Sequence, residues 1–241
     1  MNKVTTLDEV MEKVRDGMTI GLGGFLGVGA PLKAVQQLIE RKIKNITLVS
    51  VVNAHPLAGG SFDIAPLFKN RQVRKFICSH NGTCPEAVAA YRDGDLEVEF
   101  FPMGTWTEKL RAGGAGLGGV LTPTGVGTLM EKGKEKMTIN GREYLLEMPL
   151  RVEIAFIKGY RGDPYGNIEY RGVSLNSNPV LAMAADSTAA EVDEIVAVGD
   201  IPPASVGTPG IFVKSLYPGY SYDEHQKLLG DYWAKVGQLK L

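Results

Sequence analysis

The residues best placed by type and spacing to do chemistry carry no charge. Glycine stands at 21, 23, 24, 27 and 29, directly after the apolar stretch 18–22 and just before Pro31. An apolar strand thus runs into a bare-backbone loop, and proline then opens a helix with one apolar face. Such a loop sets N–H groups at the positive end of a helix, close enough to touch an anion. A dinucleotide site is disfavoured by spacing. Gly21-Leu22-Gly23 begins the usual fingerprint, but Leu26 stands where its third glycine belongs. The next apolar strand, 46–52, leads into Asn53-Ala54-His55, which offers no carboxylate for a ribose. No Gly-Lys-Ser/Thr triplet follows any glycine run, so a P-loop is excluded.

A second block alternates glycine with apolar residues. Phe101-Pro102-Met103-Gly104-Thr105 leads through Arg111-Ala112-Gly113-Gly114-Ala115-Gly116 to Thr122-Pro123-Thr124-Gly125-Val126-Gly127-Thr128. A flexible linker would be polar and serine-rich. This block reads instead as backbone packed tightly on a ligand or on another subunit. Elsewhere the reactive side chains have plain roles. His55 and His80 each follow a strand without an acid or nucleophile in triad order. Cys78 lies in an apolar strand and reads as packing; Cys84, beside Pro85, sits at a helix start but also reads as structural. No His and Cys spacing suits a metal.

Alternating strands and helices must position these loops. Helices are expected over 6–15, 31–43, 85–91, 105–111 and 178–185, the first opened by a Thr6/Glu9 capping box. Strands are expected over 18–22, 46–52, 73–77, 96–101, 154–157 and 190–198, and an Asn140-Gly141 hairpin over 137–145. This order predicts an α/β fold with an open, mostly parallel sheet, helices on both faces and a small hairpin insertion. At 241 residues one large domain can bury roughly 75% of its unfolded surface. A net charge of −1 leaves no nucleic-acid footprint. Two cysteines without a framework fit a reducing cytoplasm, and neither a signal peptide nor an apolar run of about 18 residues is found.

The two glycine blocks together carry a family resemblance. Asp16-Gly17, an apolar trio, Gly23-Gly24-Phe25, then Gly29 and Pro31 resemble the first signature of the family I coenzyme A transferases, with Gly21 standing where an apolar side chain is usual. Gly104-Thr105, Glu108, Arg111 to Gly116 and Thr122 to Thr128 are similar to the α subunit of acetate and 3-oxoacid coenzyme A transferases. Ser79-His80-Asn81-Gly82-Thr83, Asp163 with Asn167, and Asn178-Pro179 with Ala182, Ala184 and Ala185 match further. The resemblance spans about residues 5–213. It implies one transferase domain over 1–213 and a C-terminal extension over 214–241.

The resemblance also implies a chemistry. Coenzyme A enters as substrate, and no cofactor is bound permanently. A glutamate of the partner β subunit attacks the acyl-CoA thioester and forms an acyl-glutamyl anhydride. The released thiolate attacks the glutamyl carbonyl to leave an enzyme–CoA thioester, and a second acid reverses the steps. That glutamate belongs to a Ser-Glu-Asn-Gly motif, which is absent here; Glu86, Glu108, Glu131 and Glu147 lie in other contexts. No catalytic residue is therefore expected in this chain, and an α2β2 assembly is. Gly23, Gly24, Phe25, Leu26, Gly27, Val28 and Gly29 are the CoA-binding residues that the resemblance implies. Met103, Gly104, Gly113, Gly114, Ala115 and Gly116 form the implied substrate and oxyanion region. Family members place glutamine at 103, and a methionine thioether cannot donate a hydrogen bond. A saturated short-chain acyl group fits Met103 better than a 3-oxo acid. A ligand-sensing protein of the same fold, recognising acyl-CoA or a sugar phosphate, is the alternative. A sugar-phosphate isomerase would need a general base by the loop, and none is offered.

Overall fold

A computed structural model describes residues 2–52 and 63–235. In chain order the elements are α1 (Leu7–Met11), β1 (Thr19–Leu22), α2 (Leu32–Glu40), β2 (Ile46–Val49), α3 (Ala65–Lys69), β3 (Val73–Cys78), α4 (Pro85–Arg92), β4 (Glu97–Phe100), α5 (Met103–Ala115) and β5 (Val120–Thr122). They continue as β6 (Lys136–Ile139), β7 (Arg142–Glu147), β8 (Val152–Gly162), β9 (Ile168–Glu169), α6 (Asn178–Ala184), β10 (Ala185–Ile195), β11 (Val206–Thr208), β12 (Ser215–Pro218) and α7 (Tyr222–Lys235).

The main sheet is parallel through β12, β10, β8, β1, β2, β3 and β4, each hydrogen-bonded to the next. Strands β9 and β11 add an antiparallel edge beside the far half of β8. Apolar residues alternate between two cores, as a sheet covered on both faces requires. Ile20, Leu22, Leu48, Phe76, Ile154 and Phe156 face α1 to α4, against Val10, Leu38, Phe68 and Ala87. Val49, Ile77, Ala155 and Ile157 face the other way, onto Trp106 and Leu110 of α5 and Leu181 of α6. Gly21 belongs to this second face. A Cβ there would stand 3.0 Å from Leu181 Cδ2 and 3.3 Å from Val152 Cγ2, so Leu181 fills the space that an apolar side chain at 21 would take.

The Thr6/Glu9 box closes as expected, the Thr6 hydroxyl accepting from Glu9 N and the Glu9 carboxylate from Thr6 N, both at 3.2 Å. Asn140 and Gly141 take φ of 51° and 75°, the turn a two-residue hairpin needs. β5, β7 and β6 form a separate three-stranded sheet. It is tied to α5 by the buried carboxylate of Glu147, which pairs with Lys109 at 3.2 Å and also with Lys134.

Several boundaries differ from the sequence reading. α1 stops at Met11, and the remaining apolar residue Val14 reaches the core from a turn. β10 starts at Ala185 and pairs with β8 along its length, so the small residues after α6 are strand rather than helix end. The boundary at 213/214 falls inside the sheet. β12 pairs with β10, and Leu216 exchanges hydrogen bonds with Lys3 O and Thr5 N at 2.8 and 2.9 Å. Only the segment beyond Pro218 is an addition to the sheet. The sequence masked this because Pro, Gly and Tyr around 217–222 read as loop.

α5 also outruns its expected end at 111. It continues through Gly113 and Gly114 to a left-handed cap at Gly116, φ 70°. These glycines permit close approach: a Cβ on Gly113 would lie 2.2 Å from Leu150 O, and one on Gly114 2.6 Å from Met183 Cβ. Gly113→Ala is expected to lower stability by about 2 kcal/mol through overpacking, measured as a reduced denaturant midpoint. Gly118→Ala, where nothing lies within 4 Å, is the control and should cost under about 0.5 kcal/mol. Equal midpoints for the two variants would refute the packing role.

Candidate active site

The loops at the carboxyl ends of β1, β3 and β4 share one edge of the sheet, where open α/β folds bind ligands. The loop after β1 is held by side chains from the opposite side of the chain. Asn178, fully buried at the start of α6, is the centre of this clamp. Its Oδ1 accepts from Lys158 N at 3.0 Å, and its Nδ2 donates to Gly29 O at 3.1 Å and Ser174 O at 2.8 Å. Gly23 lies flat on it, since a Cβ there would be 1.8 Å from Oδ1. Asn176 Nδ2 donates to Val28 O at 2.9 Å and the Ser177 hydroxyl to Gly24 O at 3.2 Å. His225 Nε2 lies 3.2 Å from Gly27 O and donates to it when that nitrogen carries the proton.

The carbonyls of residues 24, 27, 28 and 29 are thereby turned inward. Phe25 and Val28 exchange backbone hydrogen bonds at 3.0 Å, and Gly23 N donates to Phe156 O. Among the described residues, the N–H groups of Gly24, Leu26, Gly27 and Gly29 meet no acceptor. Gly24, Leu26, Gly27 and Gly29 all have positive φ, from 52° to 109°.

Pro31 caps α2 but brings no side-chain acceptor. Glu191 of β10 supplies one, its Oε2 accepting from Ala34 N at 3.3 Å. This carboxyl is completely buried, and burial raises its pKa from 4.5 to about 7 against the pull of Lys158. The neighbouring Tyr217 phenol is pushed well above its ordinary value by burial and then by Glu191. Lys158 itself is buried, pairing with Asp193 and donating to Tyr220 O at 3.1 Å. Burial lowers the pKa of His225.

At the end of β4, Met103 and Gly104 open the first turn of α5. Met103 is 46% exposed. A hollow of about 680 Å³ lies there, walled by Met103, Gly104, Thr107 and Glu108 and by Val120 and Leu121 of β5. Thr105 closes it from within, 4% exposed and with no partner for its hydroxyl among the described residues. Gly113, Gly114, Ala115 and Gly116 are at the other end of the same helix, roughly 15 Å away at 1.5 Å per residue. The helix itself takes up the amides of Gly113 to Ala115. The structure thus separates this expected region into an end at 103–104 that opens on the hollow and a packing pair at Gly113 and Gly114, with Ala115 and Gly116 exposed beyond them.

The cysteines keep structural places. His80 is exposed beside Gly82, and His55 lies outside the described residues. Cys78 is buried, which pushes its thiol to about 12 and leaves it unreactive. Cys84 is also buried, with its Sγ 3.6 Å from Glu86 Oε2. Among the described residues, no group of His, Cys, Asp or Glu could hold a metal, and no helix is long and apolar enough to cross a membrane. Sequence reasoning missed Glu191 and His225, and quoted Asn178 without its task. An acid inside the apolar run Ala189-Ala190-Glu191-Val192 was an available signal, because unpaired acids are rarely buried.

A parallel α/β sheet with a clamped loop of unpartnered amides at its carboxyl edge is the kind of frame on which open α/β proteins bind their ligands. Residues 4–218 match the family described as coenzyme A transferase. The chain is 44% identical over 211 residues to the acetate CoA-transferase subunit alpha of Escherichia coli K12, covering 88% of this chain and 94% of that protein. It is 43% identical over 212 residues to the acetoacetyl-CoA:acetate/butyrate CoA transferase alpha subunit of Clostridium acetobutylicum, covering 88% and 95%. The fold is shared with an acyl-CoA transferase of Escherichia coli O157:H7, with a TM-score of 0.82 and 20% identity; the match covers 92% of this chain and 47% of that one, about half its length. This chain belongs to the coenzyme A transferase family.

Glu191 makes the site's frame sensitive to pH. Its folded pKa of about 7 lies above the ordinary 4.5, so the native state holds its proton more tightly than the unfolded chain does. The stability this gives is complete below about pH 4.5 and is lost as pH rises through about 7. The difference is on the order of 3 kcal/mol at 1.36 kcal/mol per unit. Glu191→Gln keeps the acceptor for Ala34 N without the titration. Unfolding at pH 5 and pH 8 should show the variant gaining on the wild type by that order at the higher pH; parallel profiles would refute it.

Proposed function

We propose that this chain is the α subunit of a coenzyme A transferase that moves CoA between an acyl-CoA and a short-chain carboxylic acid in the cytoplasm. Its part is to cradle the thioester. The observation that carries this reading is the row of unpartnered amides at Gly24, Leu26, Gly27 and Gly29, in a chain with no Ser-Glu-Asn-Gly motif. Amides fixed in advance stabilise an oxyanion without reorganising as charge develops, and removing one such donor typically costs about 3–4 kcal/mol. A glutamate is a weak nucleophile. Binding energy from the remote parts of coenzyme A can lower its barrier.

The Escherichia coli K12 and Clostridium acetobutylicum relatives are called alpha subunits, which supports a β partner that brings the glutamate, in an α2β2 assembly. Gly23 to Gly29 hold the CoA side of the thioester. Met103 and Gly104 face the acyl side, where the Gly104 N–H at the open end of α5 is a candidate donor. The alternative, a ligand sensor working alone, accounts for the cradle and for the missing nucleophile but not for the identity to transferase alpha subunits.

The purified chain should show no transferase activity by itself, and its complex with the β subunit should. Incubation of the complex with acyl-CoA followed by reduction or hydroxylamine trapping should mark a glutamate of the β subunit in the mass spectrum. A label on this chain, or turnover by this chain alone, would overturn the division of labour.

Met103 presents a thioether where relatives of the resembled type carry an amide. Met103→Gln is expected to raise kcat/KM for a 3-oxo acid relative to a saturated acid by about tenfold or more, the scale of one donor. An unchanged ratio across several acids removes position 103 from substrate choice.

A further inference from the structure

The family match ends at residue 218, and α7 begins at Tyr222. The strap between them is firmly tied. Gly219 N donates to Val192 O at 2.7 Å, and the ammonium groups of Lys33 and Lys158 donate to the carbonyls of Gly219 and Tyr220 at 2.8 and 3.1 Å. Ser221 and Glu224 then open α7 reciprocally. The Glu224 carboxylate accepts from Ser221 N at 2.8 Å, and the Ser221 hydroxyl accepts from Glu224 N at 3.3 Å. The docked face of the helix is one stripe: Tyr222, His225 and Leu229 stand at i, i+3 and i+7. They line a cleft of about 680 Å³ together with Val28 and Gly29 of the glycine loop. His225 and Leu229 are buried, and the Arg171 guanidinium, 3.8 Å from the centre of the Tyr222 ring, fastens the first turn.

The rest of the clamp on the glycine loop is one-sided. Asn176, Ser177 and Asn178 hold the carbonyls of Val28, Gly24 and Gly29, at the two ends of the loop. The apex, Phe25 to Gly27, is hydrogen-bonded by one side chain among the described residues: His225, whose Nε2 lies 3.2 Å from Gly27 O. Within the loop, the apex has the Phe25–Val28 exchange and a bond from Ala30 N to Gly27 O at 3.3 Å. The side chains of Phe25 and Leu26 pack on the second apolar core, but an apolar contact sets no direction for an amide. Two of the four unpartnered amides, those of Leu26 and Gly27, belong to this apex. Leu26 is held at φ 52°, and a bulky residue keeps such a conformation only where its surroundings over-determine it.

We propose that α7 is the outer clamp of the cradle and that His225 is a positioning residue, which holds the Gly27 carbonyl so that the apex amides stay turned to the substrate oxygen. The proposal rests on the transferase reading and gives the segment after Pro218 a task within it. His225 touches neither substrate nor nucleophile; it acts through the loop. Amides that serve a developing oxyanion are felt in the transition state more than in the bound substrate, so loosening the apex should fall on kcat rather than on KM.

The test uses the active complex of this chain with its β subunit. His225→Leu removes the donor and stays apolar, whereas His225→Gln carries an N–H at a like distance from the backbone. His225→Leu should lower kcat about tenfold, the scale of one hydrogen bond, with KM for acyl-CoA little changed, and His225→Gln should recover most of the loss. Leu229→Ala loosens α7 without touching a hydrogen bond of the loop and should lower kcat as well. Because both act through one docked helix, the double variant His225→Leu/Leu229→Ala should be no slower than the slower single. Leu228→Ala, on the exposed face, is the control and should match the wild type. An unchanged kcat in His225→Leu would overturn the proposal. So would a loss as large in His225→Gln, a rise in KM in place of the fall in kcat, or losses that multiply in the double variant.

Hydrogen exchange reads the clamp without turnover. The amides of Phe25, Val28 and Ala30 are hydrogen-bonded inside the loop, and their protection should drop by about the same factor in His225→Leu. Full protection in that variant would overturn the clamp whatever the activity. Lost protection in a complex that transfers no coenzyme A would sustain the clamp and sink the transferase reading.

Discussion

One buried side-chain amide fixes the geometry on which the rest of this molecule depends. Asn178 accepts from the backbone of β8 and donates to the backbone of the glycine loop, so it registers the loop against the sheet. It can do so only because Gly23 leaves room for its oxygen. Asparagine suits the place because it needs an acceptor and donors on one planar group; aspartate would set a second oxygen against two carbonyls. Of the four unpartnered amides, that of Gly29 shares its peptide unit with a loop carbonyl, Val28 O, which accepts from Asn176 Nδ2 and Phe25 N. Turning that unit over would strand a buried carbonyl at a cost of about 1–3 kcal/mol.

The same logic extends outward through buried polar groups that belong to no motif. Glu191 caps α2 because Pro31 cannot, and it does so from the strand next to the one Asn178 grips. His225 meets the carbonyl of Gly27 from α7. Lys158, whose own amide serves Asn178, sends its ammonium to Asp193. β8, β10, α6 and α7 therefore converge on one loop through hydrogen bonds, while the apolar cores on either face hold the strands in register. Replacing any one of these groups by an apolar residue would leave a buried partner unsatisfied, which is why so many polar residues sit inside a sheet otherwise lined by Val, Ile and Ala.

Periodicity made most of this sheet legible. The run at 46–49 is buried on both faces, as is the second half of β3, Phe76 to Cys78, and only a strand covered on both sides wants that. The hairpin announced itself through Asn140-Gly141, whose positive φ values few other pairs tolerate. The glycine loop was legible for the same reason. Where glycine served packing, its meaning inverted. Gly113 and Gly114 resemble loop residues by composition, yet they are helical because Leu150 and Met183 press on that face. Tertiary contact overrode a poor local propensity, and no pattern within the segment could reveal it. β12 was hidden likewise: Ser215, Leu216 and Tyr217 are a short buried run beside Pro218 and Gly219, and their strand pairing depends on β10 and on the N-terminus. Arg171 and His225 lay in segments without a motif, and their roles depend on the fold of α7 over the sheet.

The absence of a nucleophile is itself consistent with the electrostatics of this edge. A carboxylate of the same chain, placed within reach of four unpartnered amides and the amino end of α2, would be captured by them. Its pKa would fall and its lone pairs would be occupied by donors, as happens to carboxylates that accept several backbone hydrogen bonds. Such a group is a poor nucleophile, and it fills the cradle that the oxyanion needs. In the proposed reaction a carboxylate delivered from a second polypeptide would keep donors and nucleophile on opposite sides of the thioester. The one acid that this chain does bring near the loop, Glu191, lies behind it, fully buried and turned to the helix amides rather than to the cleft. Donors in front and acids behind is the arrangement that lets the cradle stay empty until a substrate oxygen arrives.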